Sequence, residues 1–430
     1  MAWDFSTDPE YAAQLKWAEE FVREECEPLD HVIKESHDLH DPVRQALIPP
    51  RQQIVKEHGL WATHLGPNLG GPGHGQVKLG LLNEILGRSE CAPIIFGSQA
   101  PDSGNSEILA HYGTPELKAR YLEPLLDNRI ISCFSMTEPQ GGADPKVFTT
   151  TAVQDGDEWV INGEKWFASF ASSASFIIVM AVTDPDAPPY ERHSMFVVPG
   201  ETPGIDVLRD VGLGYQPLGG GREGYVRWED VRVPADHMLG PRGGAFVVAQ
   251  TRLGGGRIHH AMRTVGLVKR IFDMLCERAV SRFTQGEMLG HKQLVQEMIA
   301  DSWMEIEAFR LLTMQTAWKI DQYNDYKLVR ADISAVKAMM QKVLHDVSAR
   351  ALQVHGSLGT THEMPFVQHL VESFVLGLAD GPTEVHKVTL ARQVLKGYEP
   401  APDLFPSEHL LRRKAAAEAK VAPELEGIAR

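Results

Sequence analysis

The chain has 430 residues, and 42 Lys and Arg against 57 Asp and Glu give a net charge of −15. That balance excludes a general nucleic-acid binder, which needs a basic surface field, but leaves room for an anionic small ligand held by a few local cations. Hydrophobic residues at 43% and charged residues at 23% are ordinary for a soluble globular chain, and the length exceeds what one core serves, so two or three domains are expected.

The N-terminal stretch, Met1 to Leu29, is rich in acid (Asp4, Asp8, Glu10, Glu19, Glu20, Glu24, Glu25, Glu27), unlike a signal or transit peptide. Asp8-Pro9 opens a helix with Leu15, Ala18, Phe21 and Val22 on one face. Gly66 to Gly75 reads as a loop, after which Leu79, Leu82, Ile85 and Leu86 resume helical spacing. Thr114-Pro115-Glu116 has the cap-then-proline signature of a helix start. From Ile130 the texture turns β-prone. Thr149–Val153 and Trp159–Ile161 flank Asp155-Gly156 as a hairpin, and Phe176–Val182, Ser194–Val198 and Gly224–Val233 read as further strands. After Pro241 helices return. Val268, Phe272, Leu275 and Ala279 form one stripe; Met340, Leu344, Val347, Ala351 and Val354 form another that stops at Gly356. Beyond Tyr398 a Pro-containing linker leads to Leu410–Lys420, either a helix packed on a neighbour or a solvated extension. The expected organisation is a helical unit (1–130), a β-unit (131–243), a second helical unit (244–398) and an extension (399–430).

Several motifs fail. Gly219-x-Gly221-x-x-Gly224 spells the dinucleotide fingerprint but precedes a strand-like Tyr225-Val226-Arg227-Trp228 where phosphate binding needs a helix N-terminus, so it reads as a loop. His37-x-x-His40 lacks a third metal ligand and reads as surface histidines beside Asp38 and Asp41. His259 and His260 would point about 100° apart on a helix, so one of them can line a site. Cys26, Cys91, Cys133 and Cys276 are scattered and read as isolated buried thiols in a reducing compartment. No apolar run approaches the ~20 residues of a membrane helix, and the terminal Gly-Ile-Ala-Arg is not a peroxisomal address. A cytoplasmic enzyme is the expectation, with no metal.

Three stretches combine small or hydroxyl residues with aromatics: Phe134-Ser135-Met136-Thr137-Glu138-Pro139-Gln140-Gly141-Gly142-Ala143-Asp144, Ile161-Asn162-Gly163-Glu164-Lys165-Trp166-Phe167-Ala168-Ser169, and Leu378-Ala379-Asp380-Gly381-Pro382-Thr383-Glu384-Val385-His386. Each alone reads as a turn. Together and in this order they resemble the acyl-CoA dehydrogenase family, as do Arg282-Phe283-Thr284 with Gln293 and Gln353-Val354-His355-Gly356-Ser357-Leu358-Gly359. Ala100–Asn105, Arg257–Gly266 and Ala379-Asp380-Gly381-Pro382 are similar to the branch of family members 10 and 11, which implies an Asp base where most of the family uses Glu.

The resemblance implies an α+β fold: an N-terminal helical domain, a middle β-barrel domain and a C-terminal helical bundle. It implies FAD as cofactor, an acyl-CoA substrate, electron-transfer flavoprotein as acceptor, a place in fatty-acid β-oxidation, and a homodimer or a dimer of dimers. In the family reaction a base takes the α-proton of the thioester while a hydride leaves the β-carbon for flavin N5, giving a trans-2-enoyl-CoA. Asp380 takes the base position. Phe134, Met136, Thr137, Gly142, Ala143, Phe167 and Ser169 take flavin positions; Pro382, Thr383 and Glu384 take further FAD positions. Arg282, Thr284, Gln293, Gln353, Gly356 and Ser357 match residues that reach a neighbouring subunit's FAD. Ala143, Arg257 and Gly381 fall on the substrate side. Phe167 replaces a Trp common there, Ala143 a Ser, and Gly256 stands where some relatives carry an alternative base. Ala379, small where many relatives have Tyr, implies extra room near the α-carbon. Nitroalkane oxidases and acyl-CoA oxidases resemble the same pattern, and a silent binding protein on this fold is the remaining alternative.

Overall fold

The computed structural model describes residues 6–218 and 220–426. Helices α1 (Pro9–Phe21), α2 (Pro42–Glu57), α3 (Gln76–Leu86), α4 (Ala92–Ile95), α5 (Asp102–Tyr112), α6 (Pro115–Leu117) and α7 (Glu123–Leu126) come first. Asp8 accepts a hydrogen bond from the Tyr11 N–H at 2.9 Å and Pro9 fills the first turn, where its missing N–H costs nothing. Thr114 caps α6 in the same way through the Leu117 N–H. Tyr11, Ala18, Phe21 and Val22 bury against Ile48, Leu82 and Phe96.

Strands β1 (Ser132–Ser135), β2 (Thr151–Asp155), β3 (Glu158–Ser169), β4 (Phe176–Val182), β5 (His193–Pro199), β6 (Ile205–Val211) and β7 (Glu223–Pro234) form a curled sheet in the order β1-β4-β2-β3-β7-β6, with β5 also on β4. β1 and β4 run parallel; β2–β3, β3–β7, β4–β5 and β6–β7 are antiparallel. The β2–β3 turn closes on Asp155 opposite Glu158, with Gly156 at φ +65°. β4 is buried from Phe176 to Ala181, as a central strand packed on both faces must be. β6 escaped the sequence reading because it is a half-exposed edge strand with weak alternation. Gly219 and the terminal 427–430 lie outside the described residues. Gly224 sits inside β7, paired with Ala168, so no helix follows the glycines.

The second helical unit holds α8 (Ala245–Ser281), a small hairpin of β8 (Phe283–Thr284) and β9 (Glu287–Met288), α9 (Gln293–Tyr323), α10 (Arg330–His355), α11 (Phe366–Leu378) and α12 (Thr383–Leu395). Its core packs Ile258, Val265, Val268, Ile271 and Leu275 of α8 against Phe309 of α9 and Val336, Met340, Val343, Leu344, Val347 and Ala351 of α10. α3 and α8 cross backbone on backbone: a Cβ on Gly87 would stand 1.9 Å from the Arg263 carbonyl, and one on Gly266 1.9 Å from the Glu84 carbonyl. That crossing fixes the His259–Arg263 turn of α8 in place. α13 (Leu410–Glu426) is exposed along its whole length.

One expectation needs correcting. His37 is not a surface residue: it is buried and stacks on Phe170 of the β-unit with ring centroids 4.2 Å apart. His40 stays outside, its N–H donating to Asp38. All four cysteines are free; Cys26, Cys91 and Cys133 are buried and Cys276 is half-buried. Among the described residues no helix is long and apolar enough to cross a membrane.

Candidate active site

Asp380 lies in the short turn between α11 and α12, with φ +55°, and Gly381 follows at φ +100°. Consecutive left-handed residues are unfavourable for a side chain such as aspartate. Here the turn is held by its surroundings. The Asp380 carbonyl accepts from Arg257 Nε at 2.9 Å and lies 3.3 Å from His386 Nε2. Thr383 Oγ1 donates to Gln341 Oε1 at 2.7 Å, anchoring the start of α12 on α10. Pro382 supplies the helix-start φ of −58°.

The Asp380 carboxylate rests on one face of α8. A Cβ on Gly256 would stand 3.1 Å from Asp380 Oδ2, and His260, one turn further on, places Nε2 3.8 Å from the same oxygen. Arg252, one turn earlier, stacks its guanidinium 4.1 Å from the Phe134 ring and donates to Asn105 Oδ1 at 2.9 Å. Arg252, Gly256 and His260 therefore form an i, i+4, i+8 stripe under the carboxylate. Burial lowers the pKa of Arg252, Arg257, Arg263 (to about 10) and Lys337 (to about 8), and in each the Asp380 charge is the leading opposing influence. Asp380 is thus the shared anion of a buried cationic cluster. Burial also pushes His260 and His386 down to about 4, so both are neutral near pH 7.

Gly256 is one of three consecutive glycines that face different neighbours. Gly256 faces Asp380; a Cβ on Gly255 would stand 2.9 Å from Glu107 Oε2, and one on Gly254 3.8 Å from the Tyr326 ring. Glu107, on α5, makes no hydrogen bond among the described residues, and burial raises its carboxyl to about 8 against the pull of Arg252.

On the β-unit side, Glu138 and Lys165 are 1% and 0% exposed and 2.9 Å apart. Glu138 also accepts from the Thr149 and Thr150 N–H groups, and Lys165 Nζ donates to the Met136 carbonyl at 2.8 Å. Burial alone would raise the Glu138 carboxyl; Lys165 and the backbone donors overcome it and hold it at about 2, while burial takes Lys165 down to about 8. The pair is ionic at neutral pH. With the Trp166 N–H donating to the Thr137 carbonyl at 2.9 Å, it clamps the Met136–Thr137 segment onto β3. The β3–β7 ladder breaks between Lys165 and Ala168. This bulge puts Phe167 at φ +52° and leaves its ring 54% exposed.

The predicted residues fall into two groups. Phe134, Met136 and Thr137 are half-buried, Phe134 under the Arg252 guanidinium; Gly142 and Ala143 are exposed in the following loop; Pro382, Thr383 and Glu384 open α12. Ser169 donates its hydroxyl to Glu223 at 2.6 Å, and the Thr383 hydroxyl is committed to Gln341. Arg282 ends α8, 26 residues from Gly256, which is ~39 Å along a helix; Thr284 lies in β8 just beyond it and Gln293 opens α9. Gln353, Gly356 and Ser357 belong with them, because His355 feels the charge of Arg278. The structure does not bring this second group to Asp380. Sequence reasoning passed over Arg252, Arg263, Lys337, Glu107 and His386. The period-four spacing of Arg252, Gly256 and His260 was the available signal for the first.

The first group can border a planar ring, and the second, at the far end of α8, offers an exposed cation. The Phe167 ring, stacked on Trp166 and 54% exposed, leaves an aromatic surface for such a ring. The exposed Arg282 guanidinium makes no ion pair or hydrogen bond among the described residues and is open to an anionic group such as a diphosphate.

Family models describe the same three parts: acyl-CoA dehydrogenase N-terminal domain at residues 8–129, middle domain at 133–228 and C-terminal domain at 243–395. The Mycobacterium tuberculosis protein FadE2, a probable acyl-CoA dehydrogenase, is 36% identical over 397 residues, covering 91% of this chain and 93% of that protein. Acyl-CoA dehydrogenase family member 11 of Gallus gallus is 37% identical over 87% of this chain, which spans 49% of that longer protein. A solved Mycobacterium abscessus chain is 36% identical with a TM-score of 0.84, over 92% of this chain and 100% of that one. The acyl-CoA dehydrogenase of Geobacillus kaustophilus is 25% identical with a TM-score of 0.75, over 90% of this chain and 98% of that one.

Proposed function

Because this chain belongs to the acyl-CoA dehydrogenase family, we propose that it desaturates the α,β-bond of an acyl-CoA thioester with Asp380 as the base. It is an FAD-dependent oxidoreductase of that family. FAD, when bound, supplies the two-electron acceptor that no side chain offers.

The observation that carries the reading is the Asp380 carboxylate over the Gly256 notch, 3.1 Å from where a Cβ would stand. A base must be aimed before it can act. The left-handed turn aims the carboxylate, Arg257 and His386 hold its carbonyl, and Gly256 lets the short aspartate side chain come down onto α8. Arg252 bridges this floor to Phe134, so base and β-unit loops keep one spacing. Phe134, Met136, Thr137, Gly142, Ala143, Phe167 and Ser169, with Pro382, Thr383 and Glu384, would hold the flavin end of FAD. Pro382 has no N–H to offer. Arg257, Ala143 and Gly381 would border the thioester. Arg282, Thr284, Gln293, Gln353, Gly356 and Ser357 would hold the FAD of a second copy, because ~39 Å of α8 separates Arg282 from this chain's own base. The functional unit is then at least a homodimer, with a dimer of dimers as the larger form. Electron-transfer flavoprotein is the proposed acceptor.

Anaerobic titration of the yellow protein with acyl-CoAs of varied length and branching tests this. Bleaching of the flavin absorbance supports the reading. Bleaching by nitroalkanes and by no acyl-CoA contradicts it and assigns nitroalkane oxidation; rapid reoxidation by oxygen after acyl-CoA bleaching assigns an oxidase.

A further inference from the structure

A base that accepts a proton in a covered site must lose it again before the next turnover. The Asp380 side chain is 14% exposed and His260 26% exposed, so direct access of bulk water to the carboxylate is small. His260 also lines a cavity of about 820 Å³, together with Arg263, Thr264 and Leu267 of α8 and Gln368, Glu372 and Leu376 of α11. These α8 residues recur every three or four positions, so they continue the stripe that begins with Arg252 and Gly256 under Asp380. His260 is where the two stretches meet.

We propose that His260 is a positioning residue that relays the proton from Asp380 to water in this cavity. The inference rests on the assignment of Asp380 as base. Among the described residues no Lys or Arg nitrogen comes within 4.0 Å of the Asp380 carboxylate, whereas His260 Nε2 lies at 3.8 Å. A movement of ~1 Å brings that pair into hydrogen-bond range, and side chains at catalytic sites commonly tighten when substrate binds.

The step balances without a further reactant. The O–H bond of protonated Asp380 breaks as the Nε2 lone pair takes the proton, regenerating the carboxylate. The imidazolium then releases a proton to cavity water and returns to neutral imidazole. The surroundings favour quick release. Arg252 and Arg263 on α8 and Lys337 on α10 repel a charged His260, buried His259 stays neutral beside it, and Asp380 alone among its named neighbours attracts it. His386 on α12 faces the backbone carbonyl of Asp380 rather than its carboxylate. Glu372 on α11 is already paired with His369 at 2.9 Å.

The test uses the FAD-loaded enzyme and 3-thiaoctanoyl-CoA, which has an α-hydrogen to lose and a sulfur where the β-carbon would be. Exchange of the α-hydrogens in deuterium oxide, followed by mass spectrometry, reads passage of the proton to solvent. His260→Gln is expected to bind the probe normally and exchange about 10²-fold more slowly, with added imidazole restoring the rate. Parental exchange in His260→Gln overturns the relay, and so does slow exchange that imidazole does not restore. Asp380→Asn separates the two claims: it should abolish exchange beyond imidazole rescue, and parental exchange there sinks the base assignment instead. If His260→Gln does not fold, ring-¹⁵N spectra of wild type and Asp380→Asn decide. The His260 midpoint should fall when the attracting carboxylate is gone; an unmoved midpoint overturns the coupling.

Discussion

Gly256 leaves open the space that the Asp380 carboxylate occupies: Oδ2 lies 3.1 Å from where a Cβ on Gly256 would stand, closer than nine in ten real contacts of that kind. In a helix interior, alanine is otherwise more favourable than glycine by about 1 kcal/mol. Gly256→Ala should therefore keep FAD content and change thermal stability little while lowering kcat, since the base gives way by a few tenths of an ångström; about 10²-fold, the cost of a full ångström, is the upper bound. Melting curves with steady-state kinetics check this; an active Gly256→Ala enzyme would show that the carboxylate does not need this floor.

Glu107 faces the neighbouring glycine with no hydrogen-bond partner among the described residues, and burial lifts its carboxyl from 4.5 to about 8. The folded chain thus keeps a proton that the unfolded chain gives up. Stability is full below pH 4.5 and falls as pH rises towards 8, by up to about 1.4 kcal/mol per pH unit from this group. Glu107→Gln should remove that loss, so its advantage in denaturant midpoint grows from pH 5 to pH 8. A constant difference across that range contradicts the assignment.

The buried Glu138–Lys165 pair works in the opposite sense. Glu138 is held at about 2, below its ordinary 4.5, so its contribution is complete above pH 4.5 and disappears as pH falls through 2. Glu138→Gln leaves Lys165 buried and uncompensated, with an expected loss of about 3 kcal/mol or more at pH 7. The gap to wild type should narrow below pH 4.5 in chemical denaturation. FAD affinity should fall too, because the pair clamps the Met136–Thr137 segment.

Arg282 ends α8 about 39 Å along the helix from Gly256, the floor under Asp380, so the proposed sites draw them from different chains. Arg282→Ala should weaken FAD retention by about 10- to 100-fold, the worth of a charged hydrogen bond. Mixing it with Asp380→Asn under subunit exchange should restore activity, since a mixed dimer then holds one intact site. No recovery on mixing would place Arg282 with its own chain's base.

Much of this was legible in the chain. Asp8-Pro9, Thr114-Pro115 and the Val268–Ala279 stripe carry local signals, caps and periodicity, that survive in the fold. The resemblance also pointed to Asp380 as the base that we propose. What stayed hidden depends on contacts across elements. β6 is an edge strand without clean alternation, and His37 looks like a surface residue until Phe170 of the β-unit covers it. Arg252 and Lys337 sit on different helices, and only packing of α8, α10 and the α11–α12 turn brings both within the influence of the Asp380 carboxylate. Short-range sequence patterns hold no record of that convergence.

The most direct measurement is single-turnover bleaching of bound FAD by acyl-CoA in Asp380→Asn under anaerobic conditions. The account predicts FAD retained and a bleaching rate about 10²- to 10⁴-fold below wild type. FAD retained with bleaching at the wild-type rate would contradict it and place the base elsewhere.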